Sequence, residues 1–307
     1  MVAVATNALE RNPKPASAIT VFTRSAPVTM YIVRRRVAQC CTAYEEVVGR
    51  MGEVGTEYTG GGDPRRTIEL LWGVPGAPRR GPKPKLAVAD VVGAAITLAD
   101  ADSLAAVTMR RVAEHLGVSP MSLYTYVPGR AELLDLMIDH VYGELTPPEA
   151  GLAWRAALTA IAEDAWAMYH RHPWLLQVTT GRPPLGPGTT AKYELELRAI
   201  DGIGLDDLEM DAVVGLIGGL VEATARGSLE AARLVRTSGM TDMQWWELSA
   251  PVLAGIPAAD PANYPLGSRV GTTAGETHGA AVDPAYNFRF GLARVLDGIE
   301  ALVRTRS

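Results

Sequence analysis

A chain of 307 residues exceeds one small domain and suits two. Hydrophobic residues at 48% and charged residues at 21% give an ordinary globular composition with enough apolar mass for a sizeable core. A net charge of −5 excludes a generally basic nucleic-acid coat, so any contact with DNA must come from a local patch.

Residues 1–50 differ from the rest. Pro13, Pro15 and Pro27 oppose a stable helix in the first thirty positions, while Tyr31 to Val48 has helical character and carries Arg34, Arg35 and Arg36. Three readings stand: a basic arm touching DNA or a partner, a disordered extension, or a stretch upstream of a true start at Met51. The two cysteines, Cys40 and Cys41, are neighbours with no partner elsewhere, which points to a reducing cytoplasm. The first residues lack the basic-then-apolar order of a secretory signal, and no apolar run approaches the roughly 20 residues that span a bilayer.

Residues 51–85 read as a linker and basic arm. Gly60-Gly61-Gly62 is expected to be a flexible joint. Asp63 can cap a short helix that starts at Pro64 and runs to about Trp72. Pro75, Pro78, Pro82 and Pro84 then enforce an extended path bearing Arg79, Arg80, Lys83 and Lys85.

From Leu86 the apolar period becomes helical. Val88, Val91, Val92, Ala95, Ile96 and Ala99 mark the first helix of a segment spanning 86–142. Thr108 caps a second helix, whose apolar face is Val112, Ala113 and Leu116 and whose end is Gly117. Ser119 caps a third, with Pro120 at its first position. A fourth runs from about Ala131 to Tyr142. The second and third helices, joined at Gly117, have the spacing of a helix-turn-helix or of a plain helical hairpin. In the first case Ser119, Pro120, Met121, Ser122, Thr125 and Tyr126 face outward. Their hydroxyls and apolar surfaces suit base edges and thymine methyls.

Beyond Pro147-Pro148, residues 150–307 read as a helical bundle. Helices are expected at Trp154 to His170, Thr189 to about Ile203, Asp206 to Ser228, Asp242 to Ile256 and Asp283 to Val303, with a long loop over 257–282. Trp154, Trp166, Tyr169, Trp174 and Tyr193 are candidates to line an apolar or amphipathic effector's cavity. Gly215, Gly218 and Gly219 thin one helix, and Phe288, Leu292, Val295, Ile299 and Leu302 stripe another. These two are the candidate homodimer helices. Trp245 and Trp246 are expected to point different ways, one inward. His115, His140, His170, His172 and His278 show no metal-ligand spacing, and no nucleophile–base pair or phosphate loop marks an enzyme or a cofactor.

The wording of Thr108-Met-Arg-Arg-Val-Ala-Glu-His-Leu-Gly-Val, Ser122-Leu-Tyr-Thr-Tyr-Val and Leu133-Leu-Asp-Leu-Met resembles the DNA-binding domain of the tetracycline-repressor (TetR) family. The resemblance extends more loosely over Trp154 to about Arg226 and includes Arg171-His-Pro-Trp-Leu. It implies an all-α protein: an N-terminal three-helix helix-turn-helix domain, then a ligand-binding and dimerisation bundle. It further implies a repressor released from double-stranded operator DNA by a small molecule. Carried over by position, Thr108, Arg110 and Arg130 would hold phosphates. Ser119, Pro120, Met121 and Ser122 would face bases, and Tyr124 and Tyr126 would touch backbone or a thymine methyl. Arg79, Arg80, Lys83 and Lys85 would form a minor-groove arm. Asp63-Pro-Arg-Arg-Thr-Ile-Glu-Leu-Leu-Trp resembles the start of related regulators, which favours Met51 as the beginning. The family's founding member holds a magnesium–drug chelate through a histidine just before Thr-Arg-Pro. Val178-Thr-Thr-Gly-Arg-Pro has none, which argues against that ligand. The alternative is a helical interaction protein whose DNA-reading face is inactive.

Overall fold

Eleven α-helices and one two-stranded parallel pair make up the described residues, 57–74 and 86–306, of the computed structural model. The proposed extension over 1–50 and the basic arm at Arg79, Arg80, Lys83 and Lys85 lie outside those residues. In chain order the elements are β1 (Glu57–Tyr58), α1 (Pro64–Leu71), α2 (Val88–Ala101), α3 (Met109–His115), α4 (Pro120–Leu123), α5 (Arg130–Tyr142), α6 (Trp154–Arg171), β2 (Val178–Thr179), α7 (Pro187–Arg198), α8 (Asp207–Ser238), α9 (Asp242–Ala254), α10 (Pro265–His278) and α11 (Pro284–Arg304).

Local chemistry explains most boundaries. Asp63 accepts the Arg65 N–H at 3.0 Å and Pro64 opens α1. Asp206 and Glu209 form a reciprocal capping box at the start of α8. That helix runs ten residues past the expected Ser228 to Ser238, because nothing in Leu229–Thr237 breaks it, and Gly239 ends it at φ +67°. The expected loop over 257–282 contains α10. Its Pro265 stands at a helix start and its Gly279, at φ +65°, just past the end, so residues read as loop formers act as helix punctuation.

Helices α2 to α5 share a core. Val91, Ala95, Val112, Ala113, Leu123, Val127, Met137 and Ile138 are all buried there. In the following bundle, Val213, Ile217 and Val221 of α8 pack with Phe288, Leu292, Leu296 and Ile299 of α11. The stripe expected to bind a second copy is therefore filled within the protomer. Trp245 and Trp246 are both exposed, since neither α9 nor α10 buries any residue.

Residues 57–74 of the segment read as a linker are folded onto α5. β1 pairs in parallel with β2, and α1 packs on α5. Three carboxylates of α5 secure this arrangement. Glu132 accepts the Asp63 N–H at 3.2 Å, and Asp135 accepts the Gly60 N–H at 3.0 Å. Asp139 accepts the N–H groups of Gly188 and Thr189, at 3.1 and 2.8 Å, from the first turn of α7. All three acids are buried. The glycines around them serve this close approach. A Cβ at Gly62 would strike the Glu132 carboxyl, and one at Gly188 would strike the Asp139 carbonyl. The expected flexible joint is thus a clamp. Burial pushes the Asp135 carboxyl above its ordinary range, against the Gly60 N–H that lowers it.

Gly188→Ala should lower stability by about 1–3 kcal/mol, because backbone rather than a mobile side-chain tip must move. Gly93→Ala, in α2 with open space around the added carbon, should stay within about 1 kcal/mol of the parent and lean towards stabilisation. Chemical denaturation of the two variants checks the contrast.

Candidate functional site

The α3–α4 unit is built from caps and one glycine. Thr108 Oγ1 accepts the Arg111 N–H at 3.2 Å, and Ser119 Oγ accepts the Ser122 N–H at 3.2 Å. Between them Gly117 takes φ +67°, and the Val118 N–H reaches back to the Ala113 carbonyl at 3.0 Å. Leu123 and Val127 anchor the second helix in the core. The opposite face of α4 is open: Met121 is 77% exposed and Tyr124 47%, beside exposed Ser119, Pro120 and Ser122, with Thr125 following. Tyr126 is half-buried against the core. Arg110 projects from α3, held at 2.8 Å by Glu114 one turn on.

Arg130 departs from the role that the resemblance implies. Its guanidinium donates to the carbonyls of Val107 and Leu104 and meets Glu57 Oε1 at 2.7 Å. A side chain engaged on both sides inside the protein braces the turn before α3; it is not offered to a phosphate.

A cavity of about 220 Å³ lies among α5, α6, α7 and α8. Leu158, Ile161, Met168 and Ile217 supply apolar wall, and Tyr142, Tyr169, Lys192, Glu196 and Glu222 gather polar groups. Lys192 Nζ donates to Glu196 Oε1 at 2.6 Å and sits 5.7 Å from the Tyr142 ring centre. The Tyr142 and Tyr169 phenols are near neighbours. Burial pushes the Tyr142 phenol up to about 12 and also raises Tyr169, with the charge of Glu222 adding to both. Both phenols are neutral hydrogen-bonding groups at physiological pH.

Of the five aromatic residues expected at a cavity, only Tyr169 lines this one. Trp166 stacks on Phe288 at 4.6 Å between ring centres, and Trp154 packs against the core. Tyr193 is exposed, with its hydroxyl donating to Asp211 at 2.8 Å. Trp174 is buried, and its indole N–H donates to Asp100 Oδ1 at 2.8 Å. His172 stands beside it, with ring nitrogens 2.9 Å from Asp100 and 3.1 Å from Glu144. This cluster ties the end of α2 to the turn after α6, so Trp174 and His172 belong to the junction between reader and bundle. Gly218 and the exposed Gly215 and Gly219 edge the cavity, and no neighbour among the described residues requires a glycine there. Close helix approach within the protomer falls instead at Gly291, against Leu220.

Sequence reading missed Tyr142, Lys192, Glu196 and Glu222. Lys192 and Glu196 are four residues apart on a helix, the spacing of an ordinary solvated ion pair. Their burial comes only from the packing of α7 between α5 and α8.

A helix-turn-helix with an open second helix, joined through α5 to a cavity in a helical bundle, defines a regulator of transcription. The chain belongs to the TetR family. The family model for bacterial regulatory proteins of the tetR family matches residues 91–137, and that for the tetracyclin repressor-like C-terminal domain matches 147–303. The HTH-type transcriptional repressor DrrR1 of Streptomyces coeruleorubidus is 44% identical over 260 residues, covering 84% of this chain and 93% of that one. An HTH-type transcriptional regulator of Saccharopolyspora erythraea is 32% identical over 185 residues, covering 58% and 78%. Among solved structures, apo ActR of Streptomyces coelicolor has a TM-score of 0.56 at 25% identity, covering 74% of this chain and 100% of that one. ActR in complex with actinorhodin has a TM-score of 0.58 at 25% identity, covering 71% and 96%.

Proposed function

We propose that the protein is a homodimeric repressor that reads a two-fold operator through α4 and leaves it when a small molecule fills the α5–α8 cavity. The observation that carries this reading is α5. Its first residue, Arg130, braces the turn before the reader, and its last, Tyr142, is a wall of the cavity. Between them, Asp139 holds the first turn of α7, the helix that brings Lys192 and Glu196 to the same cavity. A ligand that wedges α7 from α8 therefore acts on α5 through one hydrogen-bonded contact. Release requires the ligand to prefer the arrangement that does not fit DNA, because equal affinity for both shifts nothing. In a dimer the relevant quantity is the separation of the two α4 helices, about 34–36 Å for adjacent major-groove half-sites. Both the tetR-type match over the reader and the complex of ActR with actinorhodin support this reading.

No catalytic role is assigned to the chain, in keeping with the family. It works where the chromosome lies, in the cytoplasm. No helix among the described residues is long and apolar enough to cross a membrane. Specific contact falls to Ser119, Pro120, Met121, Ser122 and Tyr124, with Tyr126 at the edge of the face. Thr108 and Arg110 supply phosphate contacts, and Arg79, Arg80, Lys83 and Lys85 add charge ahead of α2. For the dimer, the faces of α8 and α11 that point away from their shared core remain, carrying Leu216, Tyr286 and Phe290, all exposed. The apolar arm of α9 and α10 continues that surface requirement, since Trp245 and Trp246 are costly to leave in water.

Binding to a duplex selected by the protein from a random library tests the reading. Tyr124→Ala should leave the melting temperature unchanged and weaken operator affinity about 10-fold, the scale of a lost base contact. Arg110→Ala should flatten the salt slope by about one phosphate contact, roughly 0.9 in log–log units. Arg130→Ala should lower the melting temperature first. A Tyr124→Ala protein with unaltered operator affinity would refute the reader assignment.

The dimer has its own test. Phe290→Glu should yield a folded monomer by light scattering and circular dichroism, because its ring points out of the protomer core. Leu292→Glu should lose helical signal as well, because a buried charge without a partner destabilises the fold itself.

A further inference from the structure

The polar end of the α5–α8 cavity has one place left to fill. Glu196 is only 7% exposed and lines the cavity. Its Oε1 is taken by Lys192, while its Oε2 is buried with no hydrogen-bond partner among the described residues. No neighbouring group among the described residues supplies the missing donor. The nearby Glu222 carboxylate is itself an acceptor and takes Arg226 at 3.0 Å. A buried carboxylate oxygen without a donor is costly, and that cost is removed by a ligand that brings one.

The surroundings specify the donor further. Both cavity carboxylates lie near two phenol rings, whose π faces attract cations. The charges of Glu222 and Glu196 reach both phenols, adding to burial in keeping them protonated. Lys192 and Arg226 each pair with one of these carboxylates, but the free Glu196 Oε2 still makes a stronger, charge-assisted bond to a positively charged donor than to a neutral hydroxyl. Leu158, Ile161 and Met168 of α6 line the same cavity with hydrocarbon.

We infer that the effector is a cationic amphiphile, a protonated amine on an apolar body, whose N–H donates to Glu196 Oε2 while the body lies along α6. This rests on the reading of the cavity as the effector site, and names the chemistry of that site.

The probe is dansylcadaverine, a primary amine on a fluorescent apolar body, with its N-acetyl derivative as the uncharged match. Both are titrated by fluorescence against the full-length protein and against Glu196→Gln. The wild-type protein should bind the amine at least about 10-fold more tightly than the acetylated probe, the lower end for a charge-assisted hydrogen bond in a buried site. Glu196→Gln should remove that preference and leave the affinity for the acetylated probe unchanged. Equal affinity of the wild-type protein for the two probes overturns the inference, as does no saturable binding of either. These two results need no variant, so a poorly folded Glu196→Gln cannot obscure them. An undiminished preference in a folded Glu196→Gln also overturns it. Should the acetylated probe bind equally and still release operator DNA, the amine inference ends and the effector reading stands. Amine-selective binding that saturating operator leaves unweakened keeps the amine site and ends the effector reading, because linkage demands reciprocity.

Discussion

Three buried carboxylates on one helix set the terms for the rest of this protein. Glu132, Asp135 and Asp139 of α5 are taken out of water, and no ion pair to any of them occurs among the described residues. Backbone N–H groups replace the lost hydration, drawn from two remote stretches: Gly60 and Asp63 before α1, and Gly188 and Thr189 in the first turn of α7. Charge-assisted hydrogen bonds of this kind are the strong ones, about twice a neutral bond. Left unmade, each would strand a charge in the interior. The approach must therefore be close, and glycine at 62, 186 and 188 makes room for it. The fold of residues 57–72 and the seating of α7 both follow from this one requirement.

That geometry also decides what can move. A helix held at both ends by polar contacts behaves as a rod, and α5 has the reader at one end and the cavity at the other. The Asp100–His172–Trp174 cluster adds a second tie, from the end of α2 to the turn after α6. Glu144, just past α5, meets the other nitrogen of His172. The reader is thus fastened to the bundle along two lines. Packed contacts of this sort have few alternative arrangements, so a small displacement at the cavity is passed on as a rigid shift.

Much of this was readable from local chemistry. Caps at Asp63, Thr108, Ser119 and Asp206, the positive-φ Gly117, and the apolar periods of α2, α6 and α8 are each signalled within a few residues. The same reading erred where a residue's meaning depends on a distant partner. Gly60-Gly61-Gly62 reads as flexible unless Glu132 and Asp135, some seventy positions away, are known to sit against it. Trp174 reads as a cavity wall unless Asp100 is known to face its indole. The apolar stripe of α11 reads equally well as an interface or a core, and only the packing of Val213, Ile217 and Val221 against it decides for core. Arg130 illustrates the limit of carrying a role over by position, since the partners that claim its guanidinium come from β1 and from the loop before α3. Periodicity also says nothing of a cavity, whose polar end is made by side chains from α5, α7 and α8.

The central claim is that operator and cavity communicate through the contact between Asp139 and the first turn of α7. Amide hydrogen exchange at Gly188 and Thr189, with and without a saturating selected operator duplex, addresses it most directly. Exchange reports the opening of those two hydrogen bonds residue by residue. The account predicts that operator binding slows exchange at both amides, because DNA selects the arrangement in which Asp139 holds them. Unaltered exchange at Gly188 and Thr189, with α4 itself clearly protected by the duplex, would contradict it.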